Sequence, residues 1–588
     1  MRIRTLLVPL FALGLGLAVP LASPVAAQRP DETSPRRFAV FVDDYLDHFA
    51  ARHPSIAAGN GLHAHDASLE DFSAAAVRRE IAALRTDSAR LARLDSTGFS
   101  PDERVDRRIL AGVIDGWLLD LVVVQSWRRN PMIYASALAD GVHDLMTMES
   151  APADVRARAI IAKLRGTTAL VAAARTNITN PPAIFARRGA IMFRGASDML
   201  GHDLGLAFAT LRDSLLRRRL LGAAAAARGP LDAYAAELER IAPRATASFA
   251  IGGASVAARY RAEELIELSL DTLLAIGERS LRSEQDAFAR AARQIDPEHG
   301  AADVWREIRA DHPAAGHLVA AAESALVDLT AFVRAKRLAT IPEAAAVIVA
   351  SAPPFDLGLA SMHSSPPLER RPVRSMYYVT DAQRDWPVER QQGWLEKFNR
   401  PTLAIITAHE VMPGHYLHSL YMRQTPGKVR RIWIGLNPFP QPSSGQDGWA
   451  HYAEQLVVDE GFHGDDPRYR MAQLSESLTR VCRLLSGIRL HTGAWTVDQA
   501  AAFFEQNAYL PVAAARAEAE RGSYDPTYGG YFLGKHALLT LREDVRAREG
   551  SAFDLRSFHE RVMRNGIAPW AAHRALLLPG DSRPLLHE

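Results

Sequence analysis

The sequence predicts a mainly α-helical protein with a small β element beside its candidate functional site. Three observations carry that expectation. Apolar residues recur at helical spacing in long segments before residue 345, and again after residue 380. The interval between them breaks the pattern with prolines and a β-branched, aromatic run. The composition, 48% apolar and 23% charged over 588 residues, is that of a globular chain long enough for a large core and two or more subdomains.

Residues 1–27 stand apart. Arg2 and Arg4 precede an apolar run from Leu6 to Leu21, and Val25-Ala26-Ala27 follows it. That order reads as a secretory signal cleaved after Ala27, which implies an exported, periplasmic or extracellular protein. An uncleaved anchor is the alternative, although the run is short for a bilayer span and holds Pro9 and Pro20. No later stretch reads as membrane-spanning. Cleavage removes two of the 69 basic side chains and none of the 67 acidic ones, leaving a formally neutral chain. Neutrality gives no footprint for a nucleic-acid partner. The single cysteine, Cys482, excludes an internal disulfide. Among Val481, Leu484 and Leu485 it is expected as a buried, inert thiol.

Taken in order, residues 28–37 are polar with two prolines and are expected as a mobile leader. Phe38, Phe41, Tyr45 and Phe49 sit at helical spacing in the stretch to Ala51. Ser100-Pro101-Asp102-Glu103 is a capping box with proline at the first helical position, opening a helix through Leu118. Ala153 to Ala174, Leu204 to Ala226, Leu231 to Ile241 and Leu273 to Ile295 read as amphipathic helices. The apolar run Ala345 to Ala350 then ends at Pro353-Pro354, and Arg374-Ser-Met-Tyr-Tyr-Val-Thr380 suits a strand. This interval divides an N-terminal helical part, residues 38–344, from a catalytic part, residues 345–588. The helical pattern of the second part continues to about residue 566.

The chemistry gathers in Thr407-Ala-His-Glu-Val-Met-Pro-Gly-His-Tyr-Leu-His418. His409-Glu410 opens like a zinc-hydrolase helix, in which two histidines bind the metal and the glutamate activates water. The usual second histidine lies one turn on. Here it is His415, six residues after His409, so on a straight helix the two rings point about 120° apart. Pro413 removes a donor and crowds the preceding turn, while Gly414 accepts unusual backbone angles. Met412-Pro413-Gly414 is therefore expected as a bulge that rotates His415 back toward His409. A pair of unrelated buried histidines beside a kink is the structural alternative.

A catalytic zinc needs a third protein ligand and an open position. Asp447-Gly-Trp-Ala-His-Tyr-Ala-Glu454 supplies two carboxylates seven residues apart, on one helix face. One can meet the metal while the other orients a histidine. Asp447 is favoured as ligand and Glu454 as its partner, with the reverse left open. Gly448 would let this helix approach a neighbour closely. His418 is expected as a supporting or core histidine. His491 and Tyr531 are candidates for stabilising an oxyanion. No nucleophile elbow, P-loop or dinucleotide fingerprint occurs.

The run Asn399 to His418 resembles the core of a large, mostly bacterial family catalogued as a domain of unknown function, family 885, and grouped with zinc metallopeptidases. The family pattern is HExxPGHxLx followed by EGWAxYAE. Asp447 stands where that second block has its first Glu. Weaker matches, including His53-Pro-Ser-Ile-Ala-Ala-Gly59 and Arg483 to His491, extend the resemblance over residues 38–566. A later PGQAxxYxxG block survives as Pro526, Tyr531 and Gly534. The resemblance implies a large multi-helical, gluzincin-like metallopeptidase fold with peptidase-type chemistry.

Together these readings give a Zn²⁺-dependent peptidase acting on a peptide substrate. His409, His415 and Asp447 or Glu454 hold the metal, Glu410 is the base, and Tyr531 or His491 is the oxyanion donor. The strand at Met376–Val379 is expected to receive the peptide as an added strand. A binding or scaffolding protein on a degenerate peptidase fold is a second reading, and a metal-dependent hydrolase of a non-peptide amide or ester is a third. Oligomeric state is not legible.

Overall fold

The computed structural model describes residues 33–342, 346–352, 360–432 and 443–586. The expected signal peptide and the start of the leader lie outside them. The architecture is mainly helical with one small sheet.

Local signals account for most helix starts. Phe38, Phe41, Tyr45 and Phe49 form the buried face of helix Ser34–Arg52, which starts inside the expected leader with Pro35 in its first turn. The capping box is present: Ser100 Oγ accepts from Glu103 N–H, and Glu103 returns the bond to Ser100 N–H. Two expectations change. The stretch 153–174 is two helices, Ala153–Leu164 and Thr167–Asn177, separated at Arg165-Gly166. Conversely, Ser214–Ile241 is one helix, restarted by Asp213 as cap and running through Pro230. Pro101–Arg129 is apolar and long enough to cross a bilayer by length and composition, against expectation, but half of its most apolar window is buried inside the protein.

Two large hydrophobic cores organise the chain. One runs from Phe38 to Ala242, joined by Val429, Ile432, Ala568 and Ala572. The other runs from Val256 to Leu586. The expected division at residue 345 does not coincide with them. Val256, Phe288, Leu329 and their neighbours pack with the site helices, because periodicity marks a buried face without naming its partner.

Six helices frame the site: α1 (Leu270–Ile295), α2 (Arg400–Glu410), α3 (His415–Met422), α4 (Ser443–Asp459), α5 (Pro467–His491) and α6 (Gly530–Glu549). Gly448 of α4 lies against Gly534 of α6; a Cβ on Gly448 would stand 2.6 Å from the Gly534 Cα. The two glycines therefore set this close approach. Cys482 is free and buried in α5, and burial raises its thiol pKa well above the usual value.

The sheet comprises β1 (Val347–Ser351), β2 (Ala360–His363) and β3 (Ser375–Val379), in the order β1-β3-β2. β3 pairs parallel with β1 and antiparallel with β2, and Tyr377 is in register with both Val349 and Met362. The expected strand exists, but it is central. Both of its edges are used, so it cannot receive a peptide as an added strand. That capacity lies with the outer edges of β1 and β2.

Candidate metal centre

α2 starts where Asn399 Oδ1 accepts from Thr402 N–H, with Pro401 in the first turn. It ends at Glu410. Residues 411–414 then leave the helix, and α3 begins at His415. The insert is thus a break between two helices rather than a bulge within one. Gly414 N–H reaches back to the Ala408 carbonyl at 2.9 Å. A Cβ at Gly414 would collide with the His409 carbonyl oxygen, so only glycine allows this return. Trp449 Nε1 of α4 donates to the Pro413 carbonyl at 3.0 Å and holds the break against α4. The consequence is that His409 and His415 face each other, with ring centroids 4.7 Å apart and planes at 87°.

Asp447 completes a cluster. Its Oδ1 lies 3.9 Å from His409 Nε2 and 3.7 Å from His415 Nε2. These are too long for hydrogen bonds. All three ligand atoms fall within 4.8 Å of one another. Tetrahedral zinc ligands at about 2.0–2.1 Å stand roughly 3.3 Å apart. The observed spacing is slightly wider, a gap that small side-chain rotations close, and two imidazoles with one carboxylate are a donor set that suits zinc.

Glu454, one carboxylate further along α4, faces the other side of His409. Its Oε1 accepts from His409 Nδ1 at 2.6 Å and from Arg480 Nη2 at 2.9 Å. Its Oε2 is 3.0 Å from His451 Nδ1. Both oxygens are therefore engaged away from the cluster. Burial, then His415 and Arg480, lowers the His409 pKa well below the usual range, so the ring is neutral and its Nε2 lone pair is available. His415 is half-buried; desolvation lowers its pKa, but the Asp447, Glu410 and Glu454 carboxylates together outweigh it and raise the pKa. Asp447 moves the opposite way, held low by His415 against the cost of burial.

Glu410 closes the site. Burial raises its pKa to about 7, moderated by His415, then Arg480 and the backbone N–H of Met362 in β2. Tyr377 Oη of β3 and Thr407 Oγ1 of α2, 3.2 Å apart, pin the sheet to the helix that carries Glu410. Tyr531 on α6 accepts from Arg521 Nη2 at 2.6 Å. Burial and the Arg521 and Asp447 charges act on it together, with its pKa pushed up to about 12.

His491 is not at this site. It is buried at the far end of α5, with Nε2 on the Gly522 carbonyl at 2.8 Å. Eleven residues separate it from Arg480, roughly 16 Å along the helix. His418 is a core histidine: Nε2 contacts the Gly566 carbonyl at 3.2 Å, and burial drops its pKa to about 3. Sequence reasoning missed Arg480, which joins Glu454 to Glu476. Its one sequence signal is an arginine on an otherwise apolar helix face, between Leu478 and Val481.

A family model described as a bacterial protein of unknown function, DUF885, matches residues 54–576. No curated protein matches the chain. Among solved structures, the chain is similar to a candidate lipoprotein of unknown function from Shewanella oneidensis, at 21% identity and TM-score 0.76. That match covers 93% of this chain and 100% of the other. It is also similar to a candidate lipoprotein from Colwellia psychrerythraea, at 18% identity and TM-score 0.76, covering 93% and 98%. At these identities the likeness is one of fold.

Proposed function

We propose that this chain, which belongs to DUF885, a family of bacterial proteins of unknown function, is an exported zinc-dependent hydrolase of peptide bonds. The observation that carries this reading is the convergence of His409, His415 and Asp447 beside the half-buried Glu410 carboxyl. Export is supported by the basic-then-apolar N-terminus from Arg2 to Ala27.

His409 Nε2, His415 Nε2 and Asp447 Oδ1 would hold the ion, with one position left open. When bound, zinc lowers the pKa of a ligated water to about 7 and polarises a carbonyl. Glu410 takes the proton of the attacking water on its carboxylate and passes it to the leaving nitrogen. Burial raises its pKa above that of an exposed glutamate, which favours both halves of that transfer. Tyr531 stays protonated, and its oxygen already accepts from Arg521, so its O–H is left to donate to the developing oxyanion. Glu454 fixes the His409 ring and directs Nε2 at the cluster. The substrate backbone lies along the outer edge of β2, next to Glu410, as an added strand.

The test is a peptide-library digest by the zinc-loaded protein beside Glu410→Gln, with metal analysis of both. The mutant should keep its metal and lose ~10²–10⁴-fold in turnover. Equal hydrolysis by both would overturn the mechanism. No hydrolysis by a metal-loaded parent would favour a binding protein on the same fold, and cleavage of esters or simple amides alone would favour the non-peptide reading.

A further inference from the structure

We propose that the cavity beside His415 is a carboxylate-binding specificity pocket for the peptide cleaved at the metal centre, an inference that rests on the hydrolase reading above. The cavity measures 240 Å³. Its walls come from β2 and the chain that follows it, from α3, and from Met148 in the N-terminal part of the chain. His415 is part of the wall, so a group lodged here sits directly against the cluster. Met148, Met362, Met422 and Ile567 offer apolar sides for an aliphatic stem.

The charge in this pocket is one-sided. Among the described residues no Asp or Glu lines it, and Arg431 is the one lining residue with a permanent charge. Arg431 Nε donates to the Thr425 carbonyl oxygen, which anchors the guanidinium. Its terminal nitrogens meet no carboxylate among the described residues. A guanidinium held through one nitrogen among the described residues, at the wall of a mostly apolar cavity, recognises a carboxylate through charge-assisted hydrogen bonds. A carboxamide of the same shape loses the charge, and an ammonium is repelled.

The pocket is also built to hold its shape. Arg423 Nη1 and Nη2 donate to the Pro366 and Glu369 carbonyls, each at 2.7 Å, and tie the wall after β2 to α3. His63 Nε2 meets Glu369 Oε2 at 2.7 Å, and Leu368 N–H donates to the Asn60 carbonyl at 3.2 Å, tying the same wall to the N-terminal core. Because β2 borders both this cavity and Glu410, a peptide laid on β2 places a residue next to the scissile bond over the pocket. The favoured substrates are peptides with a carboxylate at that residue, from a glutamate side chain or a free C-terminus.

The experiment has two readouts on the full zinc-loaded protein. The first is calorimetric binding of N-acetyl-glutamate amide, N-acetyl-glutamine amide and N-acetyl-glycine. The second is cleavage of matched peptides with Glu, Gln or Lys beside the scissile bond, each with a free or amidated C-terminus. The parent should favour the carboxylate ligands by ~10–100-fold, as expected for charge-assisted bonds. Arg431→Met should erase that preference and Arg431→Lys should retain part of it, which separates this pocket from carboxylate binding to the metal itself. Met148→Trp, which fills the cavity while leaving the guanidinium, should erase it too, and it guards against an Arg431 variant that fails to fold. Preference that survives C-terminal amidation assigns the side-chain source; preference lost on amidation assigns the terminus. Equal binding of the Glu and Gln probes together with no Arg431-dependent binding of N-acetyl-glycine, or a preference unchanged in Arg431→Met, overturns the pocket. Arg431-dependent probe binding without any cleavage supports the pocket and removes the hydrolase reading. Cleavage without preference does the reverse.

Discussion

His409 Nδ1 and Glu454 Oε1 stand 2.6 Å apart in the buried floor of the site, joining α2 to α4. The bond fixes which face of the imidazole looks toward Asp447. A neutral histidine can present one nitrogen as donor and the other as lone pair, and this partner decides which is which.

From that relationship follows an order of effects on metal affinity. Glu454→Gln keeps the shape of a side chain that orients His409, so zinc affinity should fall by about 10–100-fold. Asp447→Ala removes a proposed ligand and should cost more. Zinc titration against a competing chelator reads both. The reverse order would move the ligand role to Glu454, and tight zinc in both variants would remove α4 from the site.

The rate should have an acid limb set by Glu410. The residue must be ionised to accept a proton, so activity rises with pH through its pKa. Burial raises that pKa from 4.5 to about 7, and a bound cation pulls it back down. The limb in kcat/KM is therefore expected between those values. A limb that stays in place in Glu410→Asp at all pH values, with an unchanged rate, would show that another group is the base.

Gly414→Ala should be severe. The added methyl has no room beside the His409 carbonyl, so the turn must open and separate the two rings. Metal binding is expected to be lost, with a fall in stability of ~3 kcal/mol or more, in the range of overpacked core sites. Melting of the metal-free proteins isolates the structural part; a variant with parental zinc affinity would falsify the account of the break.

Acid should destabilise the fold before carboxylates titrate. His418, His491, His559 and His573 are buried, and burial lowers their pKa values from 6.5 to about 3, 4, 4 and 3. Below pH 6.5 the unfolded chain binds protons that the folded chain refuses, so stability falls as pH drops from 6.5 toward 4. Each such group contributes up to ~1.4 kcal/mol per pH unit across that window. Denaturant midpoints measured from pH 8 to 4 check this. A flat profile would mean that these rings protonate without unfolding.

What the sequence determined by itself is local. Helix periodicity, the capping box at Ser100 and Glu103, and the strand at Ser375–Val379 depend on neighbours a few residues away. The pairing of His409 with His415 belongs here too, because Pro413 and Gly414 between them force the chain out of the helix. Tertiary structure decided what depends on distant partners. Asp447 and Glu454 share one face of α4 by spacing alone, and only the packing of α4 beside α2 shows that Asp447 meets Nε2 of His409 and Glu454 meets Nδ1. Tyr531 comes near Asp447, whereas His491 is carried to the far end of α5. β3 became the central strand because β2, which has no β-branched signature, pairs on its other side. The two hydrophobic cores part near residue 250 because α1 buries its apolar face against α5 rather than against the helices before it. Periodicity specifies that a face is buried; long-range packing, through approaches as close as Gly448 to Gly534, specifies against what.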